Sequence, residues 1–119
     1  MNVAVIGASE DPEKYSHKAM LLLKEKGHHV FPVNPFLKEI QGISVYSSLQ
    51  EVPEAVDTVS LYLRKEISDQ VEEQILRKAP KRVIFNPGAE NEVLAKKIKA
   101  AGIQTLNACT LVLLKTDQF

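Results

Sequence analysis

Short β-rich runs alternate with helix-period segments along this whole chain, and few folds accept that order. Val3-Ala4-Val5-Ile6 is a continuous apolar run that stops at Gly7, as a central parallel strand buried on both faces would. Ala19, Met20, Leu22 and Leu23 then form an apolar helix stripe, with Ser16 as its expected N-cap and Gly27 at the left-handed C′ position. Val30-Phe31-Pro32-Val33 runs into Asn34-Pro35, where proline ends the strand. Residues 35–56 are the least regular, with a short Val45-Tyr46 run and a one-turn helix expected over Ser48 to Pro53. Strand-like runs follow at 57–63, 82–85 and 104–107. Helix stripes lie between them: Ile67, Val71, Ile75 and Leu76 in one, Leu94, Ile98 and Ala101 after an Asn91 cap in the other. The tail from Cys109 to Leu114 is apolar, but too short to assign by period.

Strand and helix in alternation predict an α/β fold: a Rossmann-like, doubly wound, five-stranded parallel sheet in three α/β/α layers. Right-handed crossovers suggest strand order 3-2-1-4-5. With 119 residues, the expectation is a single domain spanning 1–119. Ligands of open parallel sheets bind beyond the carboxyl ends of the strands, where the order reverses. That rule gathers the loops at Gly7, Asn34, Leu63 and Asn86.

Composition removes several function classes. Fifteen Lys plus Arg balance fifteen Asp plus Glu, so no broad basic field attracts nucleic acid. No apolar run approaches the roughly 20 residues of a membrane span, and Met1 leads into the first strand without a basic signal-peptide start. A cytoplasmic location is expected, with neither nucleic acid nor membrane as partner. The single cysteine, Cys109, excludes an internal disulfide framework and a multi-cysteine zinc site.

The first loop, Gly7-Ala8-Ser9-Glu10-Asp11-Pro12-Glu13-Lys14-Tyr15-Ser16, carries the most chemistry. Small residues let a backbone approach phosphate, the helix N-terminus donates to it, and Lys14 adds charge. The same residues also suit a tight strand-to-helix turn with no ligand. Ser9 and Pro12 stand where a G-x-G-x-x-G fingerprint needs glycine, and strand two ends in Asn34-Pro35 rather than an acid for the ribose. Both features weaken NAD and FAD. Coenzyme A carries a 3′-phosphate that asks for cations, for which Lys14, Lys18 and Lys38 are candidates, although each alone reads as a solvated surface lysine. His17 could donate to phosphate, but packing at the helix end is its plainer role. His28 and His29 open strand two and are expected on the surface.

Val-Ile-Gly-Ala-Ser with Pro12, Lys14 and Tyr15, then Val33-Asn34-Pro35, then Tyr46-Ser47-Ser48-Leu49 ahead of Val52-Pro53, resembles the stand-alone CoA-binding domain family. That family is similar to the CoA-binding domain of the succinyl-CoA synthetase α subunit. The resemblance implies CoA or acyl-CoA as ligand, its pyrophosphate at Gly7, Ala8 and Ser9 with Lys14 and Tyr15 following, and its adenosine beside Asn34 and Pro35. Leu63, Asn86, Pro87, Gly88 and Cys109 complete the expected site. Two segments depart from the family's pattern: Phe85-Asn86-Pro87-Gly88, where relatives carry Trp or Met and Gln, and the apolar ending 107–114, where a charged strand is usual.

Cys109 reads either as a small buried hydrophobe or as a thiol near the pantetheine end. No catalytic triad, acidic metal cluster or P-loop is present, so the chain reads as a binder, a CoA sensor or accessory module rather than an enzyme. Its rivals are an NAD(P)-binding redox protein and an interaction module that has lost its ligand. Leu111 to Leu114 would suit a homodimer surface.

Overall fold

The computed structural model describes residues 1–119. Five parallel strands form the main sheet: β1 (Asn2–Ile6), β2 (His29–Val33), β5 (Thr58–Leu61), β6 (Arg82–Phe85) and β7 (Gln104–Asn107), in the spatial order β2-β1-β5-β6-β7. A two-stranded hairpin, β3 (Glu39–Ile40) with β4 (Ile43–Ser44), stands apart. Its turn residues Gln41 and Gly42 both have positive φ, 52° and 77°, as the tight hairpin turn matching strand twist requires.

β1 is central because both of its faces are apolar. Val3 and Val5 pack with Met20 and Leu23 of α1 (Tyr15–Glu25) and Leu114 of a C-terminal helix, Thr110–Lys115. Ala4 and Ile6 face the other way, into a larger cluster holding Ile75, Leu94 and Ile98. Those three come from helices over Glu72–Lys78 and Glu92–Ala100, which we call α3 and α4. A short α2 (Lys65–Ser68) precedes α3, and the C-terminal helix is α5. The three α/β/α layers expected from the sequence are therefore present. No helix is long and apolar enough to cross a membrane.

Two expectations are corrected and one open segment is assigned. Counted in chain order, the five long strands run 2-1-3-4-5 rather than 3-2-1-4-5: β5 lies on the far side of β1 from β2. The outer edge of β2 is instead met by one parallel bridge, Val33 to Tyr46. Tyr46 donates to the Pro32 carbonyl at 2.9 Å, on the side where proline has no N–H to offer. Ser16 does not cap α1. Lys14 holds the cap position without a side-chain bond, and Ser16 lies buried in the first turn. The unassigned tail is helix α5; it turns Leu114 inward and leaves Val112 exposed. Asn91 caps α4 as expected, accepting from the Leu94 amide at 3.0 Å.

Candidate functional site: a crevice at the strand-order reversal

Chain order reverses between β1 and β5, and the loops leaving β1, β2 and β5 surround one crevice there. Two adjoining cavities share Gly7, Asn34 and Leu63 in their walls. One, of about 460 Å³, is lined by Gly7, Ala8, Ser9, Lys14, Tyr15 and Ser16, with Tyr62 behind. The other, about 510 Å³ and more apolar, lies between Val33 to Phe36 and the α2–α3 segment at Ile67 and Val71. Each has the size of a small-molecule site. A depression of about 600 Å³ lined by His28, Val30 and Gly42 lies near the amino end of β2 and shares no lining residue with either cavity.

Gly7 is demanded twice. Its φ is +89°, and a Cβ there would stand 3.2 Å from the Tyr62 backbone and from Leu63 Cδ2. Only glycine lets the end of β1 turn so close under the end of β5. The amides of Gly7 and Ala8 both donate to the Val33 carbonyl, at 3.2 and 3.3 Å, so they are spent on the fold. The amides of Ser9, Tyr15 and Ser16 have no acceptor within it. Two of these open the first turn of α1, where the helix dipole also favours an anion. The free donors of this loop that line the cavity are therefore these three rather than Gly7 and Ala8.

The loop is held from several sides. Ser9 Oγ accepts from the Asp11 amide at 3.1 Å, and Asp11 Oδ1 accepts from the Glu13 amide at 3.0 Å. His17, 1% exposed, lies 2.8 Å through Nδ1 from the Ser9 carbonyl. A carbonyl only accepts, so Nδ1 carries the proton and His17 packs at the helix end as a brace. Its Nε2 is buried without a partner. Asn34 ties the loops together: Nδ2 donates to the Ala8 carbonyl and Oδ1 accepts from the Phe36 amide, both at 2.8 Å.

Eight of the sequence-derived site residues line the crevice: Gly7, Ala8, Ser9, Lys14, Tyr15, Asn34, Pro35 and Leu63. Neither cavity wall includes Asn86, Pro87, Gly88 or Cys109. β6 is one strand further from the reversal, so its loop opens beside a different neighbour. Asn86 is buried, and its amide is committed: Nδ2 donates to Ser60 Oγ and the Leu61 carbonyl, and Oδ1 accepts from the Thr110 amide at 2.8 Å. With the Ser60–Thr110 hydroxyl pair at 2.8 Å, this network docks α5 on the sheet. Pro87 and Gly88 are exposed, and Cys109 is half-buried at the N-cap of α5. The Tyr62 hydroxyl lies in the same region, completing no hydrogen bond. Burial pushes it up to about 12, tempered by the nearby Ser60 and Thr110 hydroxyls.

Of the three lysines, Lys14 lines the first cavity, Lys18 lies 5.8 Å from the Tyr15 ring centroid, and Lys38 is exposed just beyond the second loop. Phe36, Ile67 and Val71 are walls of the second cavity that are not among the sequence-derived site residues, Ile67 and Val71 reading in the sequence only as a helix stripe. An exposed aromatic directly after Asn34-Pro35 was the signal for the first of them.

These features define an open α/β domain with a crevice at its strand-order reversal and unpaired helix-terminal amides facing it. Residues 1–115 match the model of the CoA binding domain, and the chain belongs to that family. The uncharacterized protein YneT of Bacillus subtilis (strain 168) is 30% identical over 100 residues, covering 84% of this chain and 74% of that one. The α subunit of acetate–CoA ligase [ADP-forming] II from Pyrococcus furiosus is 37% identical over 84 residues, 70% of this chain but only 18% of the subunit. Among solved structures, a hypothetical protein from Pyrococcus horikoshii OT3 superimposes with TM-score 0.91 at 30% identity, covering 96% of this chain and 81% of that one.

Proposed function

We propose that this chain is a small CoA-binding module, acting as a sensor of CoA or acyl-CoA or as an accessory to another protein, and not catalytic by itself. The observation that carries this reading is the set of three free amides, Ser9, Tyr15 and Ser16, around a glycine that admits no side chain. Such a cradle suits the pyrophosphate of CoA. The adenosine would extend past Asn34 and Pro35 into the apolar cavity, and the pantetheine arm would leave along the first one.

The chemistry of the crevice supports a nucleotide over a protein partner, because free amides at a helix end recognise an anion rather than an apolar surface. It also favours CoA over NAD: Asn34 spends both polar ends of its side chain on the protein and offers no acid to a ribose. Lys14 and Lys38 are the cations proposed for the 3′-phosphate. The ligase relative suggests how such a domain serves a larger enzyme, and this chain spans less than a fifth of that subunit. Thermal unfolding tests the reading. CoA at about a hundred times its Kd adds about 2.7 kcal/mol, which raises Tm by several degrees. Dephospho-CoA should raise it less and NAD not at all; equal shifts from NAD and CoA would overturn the proposal.

A further inference from the structure

We infer that Phe36 is the stacking platform for the adenine of the bound nucleotide, an assignment that rests on the CoA reading of the same crevice. Lone exposed apolar side chains are ordinary on protein surfaces. Phe36 differs in where it stands and in how it is held. It is 91% exposed, the most exposed of the large hydrophobic residues, yet it belongs to the wall of the more apolar cavity. Its backbone is fixed there, because its amide donates to Asn34 Oδ1 while the same Asn34 grips the phosphate loop through the Ala8 carbonyl. One side chain therefore sets the spacing between the phosphate cradle and the ring.

The same cavity is lined by Leu63, Ile67 and Val71, aliphatic side chains that suit one face of a planar base. A base entering between them and Phe36 would be covered on both faces, and the ring would lose most of its exposure. Side-chain rotation at an exposed position is fast, so the ring can settle on the base without a change in the backbone. Recognition by stacking reads a flat aromatic surface and nothing of the pantetheine arm, which makes Phe36 a determinant of the adenosine half alone.

The test titrates wild type, Phe36→Ala and Phe36→Trp with CoA and with 4′-phosphopantetheine, which lacks the adenosine. Phe36 is exposed, so neither substitution disturbs the core. Phe36→Ala should weaken CoA about fivefold or more and leave phosphopantetheine unchanged. Phe36→Trp should keep CoA affinity. The chain has no other tryptophan, so that indole reports alone: CoA should quench it and phosphopantetheine should not. Unchanged CoA affinity in Phe36→Ala overturns the assignment, and so does equal weakening of both ligands. Failure of the folded wild type to bind CoA would instead remove the reading on which the assignment rests.

Discussion

Asn34 donates from its side-chain amide to the carbonyl of Ala8 at 2.8 Å, joining the loop after β2 to the loop after β1 across the mouth of the crevice. Its other end accepts from the Phe36 amide. Asn34→Ala leaves both backbone groups without their partner and should cost about 1–2 kcal/mol. Because both ligand loops lose their tie, CoA affinity should fall as well. Asn34→Asp keeps the acceptor for Phe36 but loses the donor, so its urea midpoint should lie between those of wild type and Asn34→Ala.

Gly7 and Gly27 make a matched pair. Both have φ near +90°, but a Cβ on Gly27 meets nothing within 4 Å, whereas on Gly7 it meets the Tyr62 backbone at 3.2 Å. Gly27→Ala should cost about 1–2 kcal/mol, the left-handed penalty alone. Gly7→Ala should cost at least about 1 kcal/mol more from overpacking and should also impair CoA binding. Equal losses in denaturant unfolding would refute the close-approach argument.

Asn86 should behave as part of the scaffold. Removing it by Asn86→Ala strips partners from Ser60, the Leu61 carbonyl and the Thr110 amide in a buried setting. A loss of about 2–3 kcal/mol is expected. In whatever fraction remains folded, CoA affinity should stay near wild type. A selective loss of binding without a loss of stability would return Asn86 to the ligand site.

Acid should weaken the fold through His28. Burial penalises its cation, and the amino-terminal charge and Arg82 add repulsion, so its folded pKa lies below the usual 6.5. The unfolded chain then takes up the proton at higher pH than the folded one, and stability falls as pH drops from about 6.5 through the folded value. Asp57 adds a second loss at lower pH, since the Asn2 amide and then Lys81 hold its carboxyl below the ordinary range against some desolvation. His28→Gln should flatten the stability profile between pH 7 and 5 while leaving the more acidic step in place.

The layers and the crevice were legible in the sequence because they follow from periodicity and from punctuation. Val3 to Ile6 ending at Gly7, and Val30 to Val33 ending at Asn34-Pro35, place two of the loops without reference to contacts. The strand order was not legible. Whether the run at 57–63 pairs outside β2 or crosses to the far side of β1 depends on long-range pairing that no local pattern encodes. The role of Asn86 was hidden for a related reason: Asn-Pro-Gly after a strand looks like a ligand loop, and only the arrival of Thr110 from α5 shows where its amide goes. Ser16 has the character of a cap, but the turn closed by Lys14 on the Asp11 carbonyl starts the helix two residues earlier.

Calorimetric titration of the ligand-stripped protein with CoA, dephospho-CoA and NAD bears most directly on the central claim. CoA should bind in the micromolar range, about −8 kcal/mol, with dephospho-CoA weaker and NAD silent. Binding of NAD in preference to CoA, or no heat from any of the three, would contradict the account.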